Sequence, residues 1–179
     1  QKVISIMAAI TVESISKALA CSEIYRVMPN TPIAIAQGIS LIYKNENCSK
    51  ANSRMIKTWF EYCGDVIETK TEKEFDELML FSGSGPGYLF YIADAYFQKL
   101  VSMGHDINTA RKLINKLFVG SSLLMGQSEE SLNTLCKNVT SKGGVTQAAL
   151  EHLESNYLHK LISDSISAAN ERSKQLTRI

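Results

Sequence analysis

Asn138-Val-Thr-Ser-Lys-Gly-Gly-Val-Thr-Gln147 is the stretch of this 179-residue chain whose residue types could do chemistry. Two adjacent glycines, Gly143 and Gly144, let the backbone come close to a bound molecule. The loop also opens a helix whose first amides lack partners. A helix start of this kind favours an anion. Thr140, Ser141 and Thr146 add hydroxyl groups, and Lys142 adds a positive charge. Together these suit the capture of a small carboxylate. An ordinary capped turn uses the same residues, and their types alone leave both readings open.

A second glycine cluster, Phe81-Ser-Gly-Ser-Gly-Pro-Gly-Tyr88, does not read as a phosphate loop. A dinucleotide turn needs G-x-G-x-x-G, and position 88 is a tyrosine. Pro86 also lacks the N–H that a pyrophosphate needs. A helix start fits better, with Ser84 as N-cap and Pro86 in the first turn. The cluster is expected to be a hinge loop between an α/β half and an all-helical half. Between Tyr88 and Met103 only Asp94 and Lys99 are charged, so the helix that follows is apolar nearly all round. Such a helix must be covered on every side. Its apolar run is about half a membrane span, so lipid is not the expected cover. A partner subunit is the simplest one.

Bulk properties exclude several classes. A net charge of +1 with no basic block argues against a nucleic-acid partner. No run has transmembrane length, so no membrane association is expected. Cys21, Cys48, Cys63 and Cys136 show no C-x-x-C spacing and read as reduced thiols of a cytoplasmic protein. His105, His152 and His159 have no partners at metal-ligand spacing, and no metal is expected.

The elements that must position these loops can be taken in order. Val3–Ile6 reads as a strand buried on both faces, as in a parallel sheet. Thr11 caps a helix over 12–20 with Val12, Ile15 and Leu19 on one side. Ile24–Met28 is a second strand, stopped by Pro29-Asn30-Thr31-Pro32. Strand, helix, strand implies a βαβ unit, which puts Met7–Ile10 and Met28–Pro32 at one carboxyl edge. Small side chains at Ala8 and Ala9 suit the approach of a flat ring there, and tight packing explains them equally. Gly38–Tyr43 is a further strand. Ser49 caps a helix over 50–62 buried through Met55, Trp59 and Tyr62 or Cys63, with Gly64 as its stop. Asp65–Thr69 is the last strand and Lys70–Glu74 a charged link. Beyond Gly104, Asn108 or Asp106 caps a helix striped with Ala110, Leu113, Ile114, Leu117, Ser121 and Leu124. Gly126 ends it. Ser128 caps one carrying Leu132, Leu135 and Val139, and a final pair, about 146–155 and 157–177, breaks near Asn156.

Arg26-Val-Met-Pro-Asn-Thr-Pro32, Ser82-Gly-Ser-Gly-Pro86 and Val139-Thr-Ser-Lys-Gly-Gly-Val-Thr146, in this order, resemble the pyrroline-5-carboxylate reductases. The closing Ala168-Ala-Asn-Glu-Arg-Ser173 fits too, and the resemblance covers essentially the whole chain. It implies hydride transfer from NADPH (or NADH) to the C=N carbon of 1-pyrroline-5-carboxylate, giving L-proline in the last step of proline synthesis. It implies an α/β fold followed by all-α. Residues 1–70 would be the C-terminal part of a Rossmann-like cofactor domain with a parallel sheet, and 71–179 an all-helical dimerisation and substrate-binding domain. A homodimer or higher homo-oligomer is implied.

By matched position, Ser141 and the amides of Gly144, Val145 and Thr146 should hold the substrate carboxylate. The Thr146 hydroxyl should meet the ring nitrogen as the catalytic contact, and Asn138 should lie where substrate meets nicotinamide. Glu129 matches as an outer substrate contact. Ala8 matches the cofactor-edge loop and Pro86 borders the same pocket. Catalysis would rest on positioning and electrostatics, since an iminium is already electrophilic. No general acid is assigned. Three positions depart from the family pattern: Lys142 stands for the usual proline, Gly87 for alanine, and Ala9 for a common glycine.

The family's first βαβ units and their G-x-G-x-x-G turn are absent from these residues. The chain opens at Gln1 directly on a strand, as a piece of something longer would. Alone it is expected to be inactive. Two other readings are a non-catalytic helical dimerisation module and a β-hydroxyacid dehydrogenase. The second needs a catalytic helix lysine, and Lys112 and Lys116 lack the surrounding motif.

Overall fold

Thr11, Ser49 and Thr71 each present a hydroxyl to a helix start, and these three caps set the layout of the α/β layer. They accept from the amides of Ser14, Asn52 and Glu74 and relieve amides that have no intrahelical acceptor. The structure is a computed structural model and describes residues 1–177. The chain forms two compact units, Gln1–Tyr88 with the chain from Ile166 onward, and Leu89–Ser165.

In the first unit the order is β1 (Lys2–Ser5), α1 (Val12–Leu19), β2 (Glu23–Pro29), a 3-10 turn (Thr31–Ile35), β3 (Gly38–Lys44), α2 (Lys50–Glu61), β4 (Gly64–Glu68) and α3 (Glu72–Ser82). The strands lie side by side as β1-β2-β3-β4. β1 runs parallel to β2 and β3 parallel to β4, but β2 and β3 are antiparallel. The sheet is therefore mostly parallel rather than wholly so. The reason is chain length: the link from Pro29 to Gly38 holds only a 3-10 turn, too short for the dozen or so residues a parallel crossover needs.

Alternation along β2 assigns its two faces. Tyr25 and Val27 pack with Ile42 and Ile56 under α2. On the opposite face Ile24 packs with Ile15 and Cys21 of the α1 region, and Met28 packs against Leu41, Phe75 and Met79 under α3. Gly64, at φ +137°, lies so close to β3 that an added Cβ would meet the Gly38 carbonyl oxygen at 2.0 Å.

Several sequence expectations are corrected here. Trp59 and Tyr62 are exposed, and the buried residue of α2 is Ile56. Leu19 is exposed, leaving Ile15 as the buried anchor of α1. β1 is an edge strand with only Ser5 buried. The expected hinge loop is helical at both ends, and most of the expected charged link is the first turn of α3. Phe81 and Ser82 end that helix, and only Gly83 and Ser84 separate it from α4 (Gly85–Ser102).

The second unit holds most of α4, then α5 (Ile107–Gln127), α6 (Leu132–Asn138), α7 (Val145–Ser155) and the first half of α8 (Leu158–Thr177). Asp106 caps α5 by accepting from the Asn108 and Thr109 amides. Gly126 does not stop α5, and Ser131 rather than Ser128 caps α6. Tyr96 and Phe118 meet edge to face at 6.0 Å, pairing α4 with α5. Of the expected α5 stripe only Ala110 and Ile114 are buried. No residue of α4 is buried within the chain, and Phe90 and Tyr91 are 66% and 81% exposed. No helix among the described residues is long and apolar enough to cross a membrane.

Candidate active site

The loop between α6 and α7 is built by short-range hydrogen bonds. Thr140 Oγ1 donates to the Cys136 carbonyl at 2.7 Å, extending the end of α6. Gly143 takes φ +73°, a conformation other residues adopt only with strain. That turn lets the Gly144 amide donate to the Ser141 carbonyl at 2.9 Å. Gln147 Oε1 reaches back to accept from the Gly143 amide at 2.7 Å, and Gln147 Nε2 donates to Glu151 at 2.7 Å.

These bonds decide which donors stay available. The Gly144 amide, expected to hold a carboxylate, is already engaged with Ser141. Among the described residues the Val145 and Thr146 amides have no acceptor, because they are the first two of α7 and Gly144 gives no side-chain cap. The Ser141 hydroxyl lies against this helix start. A Cβ added to Gly144 would come within 2.3 Å of Ser141 Oγ, so only glycine leaves room for the hydroxyl there. Ser141 Oγ and Thr146 Oγ1 have no hydrogen-bond partner among the described residues. Lys142 is exposed beside them. One hydroxyl and two unpartnered amides at the positive end of a helix dipole form an electropositive cradle.

Asn138, the last residue of α6, donates through Nδ2 to Glu130 Oε2 at 2.9 Å. Sequence reasoning named Glu129 as the outer contact. Glu129 is exposed with no such bond, and it is Glu130 that orients the Asn138 carboxamide. The Glu130 amide is itself tied to Ser128 Oγ at 3.1 Å. The only sequence signal for that turn was a serine two residues before the acid.

Ala8 and Pro86 belong to the first unit. Ala8 and Ala9 form the turn that follows β1. Ala9 is 7% exposed and sits at φ 60°, which explains why a glycine would suit that position. The turn is tied at both ends: the Met7 amide donates to Ser5 Oγ at 3.3 Å, and the Val12 amide to Glu72 Oε1 at 2.8 Å. The tied turn carries two methyl side chains, Ala8 exposed and Ala9 buried. Pro86 lies in the first turn of α4, half-buried. Among the described residues no three His, Cys, Asp or Glu are grouped to hold a metal ion.

A mostly parallel α/β layer followed by helices with unburied apolar faces defines a class: a Rossmann-type fold carrying a C-terminal helical dimerisation domain. Comparison with known proteins narrows it. Residues 72–176 match the family described as pyrroline-5-carboxylate reductase dimerisation, and the chain belongs to that family. It is 32% identical over 177 residues to the pyrroline-5-carboxylate reductase of Staphylococcus aureus strain COL, covering 98% of this chain and 65% of that protein. The enzyme of the same name from Pasteurella multocida is 31% identical over 179 residues, with 99% and 65% covered. The chain thus spans 65% of the length of these curated relatives. Among solved structures, the Coxiella burnetii pyrroline-5-carboxylate reductase superposes with TM-score 0.89 at 32% identity, over 97% of this chain and 65% of that one. The Plasmodium falciparum pyrroline carboxylate reductase, solved with NADP bound, gives TM-score 0.93 at 26% identity, over 99% and 71%.

Proposed function

We propose that this chain takes part in the reduction of 1-pyrroline-5-carboxylate to L-proline. The observation that carries the reading is the cradle at the start of α7, where Ser141 Oγ lies beside the unpartnered Val145 and Thr146 amides. The names of the relatives supply the substrate whose carboxylate it would hold. The nicotinamide cofactor, NADPH or NADH, supplies a hydride to the C=N carbon, while the ring nitrogen keeps the C=N electron pair and a proton.

The chain's own residues bind and orient. Ser141 and the two amides hold the carboxylate, and charge-assisted bonds of this kind are about twice as strong as neutral ones. With the carboxylate fixed, the hydroxyl of Thr146, the second residue of the same helix, would hydrogen-bond the ring nitrogen. Asn138, steadied by Glu130, borders the substrate on the α6 side, with Glu129 further out. In the first unit, Ala8 and Pro86 would contact the cofactor. Fixing two reactants in a productive geometry is the larger part of such catalysis. Residues 1–70 serve the cofactor, and 71–179 serve substrate binding and assembly into a homodimer or higher oligomer. Apolar helix faces left open on α4 and α5 support that assembly. The reaction is placed in the cytoplasm.

The test is a titration of L-proline into the nitrogen-labelled chain, read by amide resonances. Movement of the Val145 and Thr146 signals, weakened by Ser141→Ala, is the expected result. An unchanged 141–147 segment at saturating ligand would overturn the reading.

A further inference from the structure

Arg26 is the largest fully buried side chain among the described residues, 1% exposed in the middle of β2. An unpaired charge there would be prohibitive. Its guanidinium rests 4.5 Å over the Phe75 ring and faces two carboxylates of α3. The two are not equivalent. Nη1 donates to Glu72 Oε1 at 2.8 Å in a well-formed hydrogen bond. Nη2 lies 3.0 Å from Asp76 Oδ1, yet neither atom has a properly directed partner, so that contact is ionic only. Burial pushes the Asp76 carboxyl up, against the lowering effect of Arg26.

Glu72 does something Asp76 does not. Its Oε1 also accepts from the Val12 amide at 2.8 Å. Val12 is the first residue of α1, and its amide is one of those left without an intrahelical acceptor. Thr11 already serves Ser14 at this helix start. Glu72 therefore closes the second tie at the point where the Met7–Ile10 turn enters α1. That turn holds a non-glycine residue, Ala9, in the left-handed region at φ 60°. Such a conformation persists only where its surroundings enforce it.

We propose that Glu72, aimed by Arg26, is a positioning residue that locks the Met7–Ile10 turn and thereby sets affinity for the nicotinamide cofactor. The cofactor half of this inference rests on the reductase reading given above. The locking half does not. The motif arginine acts through another residue: itself buried, it keeps one carboxylate oxygen of Glu72 over the Val12 amide.

Two near-isosteric variants separate this role from plain core stability. Glu72→Gln removes the charge that both Val12 and Arg26 use, whereas Asp76→Asn alters the same arginine site without touching α1. Hydrogen exchange across Met7–Val12 should speed up about tenfold in Glu72→Gln, the loss expected for one charge-assisted bond, and stay within about twofold in Asp76→Asn. In the intact protein Glu72→Gln should raise the KM for NADPH about tenfold and leave the KM for 1-pyrroline-5-carboxylate within about twofold. Equal exchange changes in both variants, or none in Glu72→Gln, would overturn the locking role. Faster exchange with an unchanged NADPH KM would overturn the cofactor role. A wild-type protein that does not oxidise NADPH would instead overturn the reductase reading, with the exchange result still deciding the lock.

Discussion

Gly144→Ala is the sharpest probe of the cradle because its effect is confined to one hydroxyl. Gly144 has φ −82° and ψ 171°, extended backbone that alanine adopts freely, so the substitution strains nothing in the main chain. The new methyl would sit 2.3 Å from Ser141 Oγ and 3.1 Å from the Ser141 carbonyl oxygen. The hydroxyl must rotate away from the start of α7, and the carbonyl needs only a slight shift. Stability should barely move. Replacing glycine stiffens the unfolded chain by about 0.4–1 kcal/mol, and alanine is a poorer N-cap by a comparable amount. Ligand affinity should move a great deal. A hydrogen bond to a charged carboxylate is worth about 1.5–3 kcal/mol, so the Kd for L-proline should rise roughly 10- to 150-fold. Calorimetric titration of wild type, Gly144→Ala, Ser141→Ala and the double variant gives a complete cycle. Once Ser141 has lost its hydroxyl, Gly144→Ala should cost almost nothing more. Additive losses in the double variant, or an unchanged Kd in Gly144→Ala, would refute the argument.

Other expectations follow from the α/β layer. Ala9→Gly should raise stability by about 0.5–1 kcal/mol, since relief of a left-handed alanine outweighs the looser unfolded chain; a lower Tm would mean that the Ala9 methyl matters more to packing than its backbone does to strain. Ile56→Ala should cost about 2–5 kcal/mol in denaturant unfolding and Trp59→Ala under about 1 kcal/mol, since Ile56 is fully buried and Trp59 half exposed. The buried Tyr25 phenol, pushed up to about 12 mainly by burial, binds its proton more tightly folded than unfolded. Its contribution is full below pH 10 and is lost as pH rises toward 12. Tyr25→Phe should therefore flatten the alkaline fall in stability by about 2–3 kcal/mol, at a neutral-pH cost of about 1 kcal/mol for the 3.3 Å bond to Ser53.

Local chemistry was the legible part of this chain. Thr11, Ser49 and Asp106 are found capping the helices they were expected to cap, because a cap is decided within three residues. α3 was missed although Thr71 and Glu74 hold the spacing of a capping box, because its charged first turn reads as a link. The α2 phase was off by one: Trp59 drew the stripe toward itself, while Ile56 and Phe60, four apart, set the packed face. The antiparallel β2–β3 step was readable from the short Pro29–Gly38 link and was passed over in favour of an all-parallel sheet. At the cradle, the helix start was legible from the Gly143-Gly144 pair, and α7 begins directly after it. The engaged Gly144 amide depends on the turn geometry at Gly143, and the Asn138–Glu130 bond joins residues eight apart across a cap. Arg26 and Glu72, 46 residues apart, meet only because α3 returns over β2. No local pattern announces a contact of that kind.

The most direct test of the account is steady-state kinetics of the intact protein with 1-pyrroline-5-carboxylate and NADPH, wild type against Ser141→Ala, with L-proline quantified as product. The account predicts one L-proline per NADPH oxidised. It also predicts that Ser141→Ala raises the KM for 1-pyrroline-5-carboxylate by at least about tenfold, with the NADPH KM unchanged. No L-proline from the wild type, or equal kinetics in the two proteins, would contradict it.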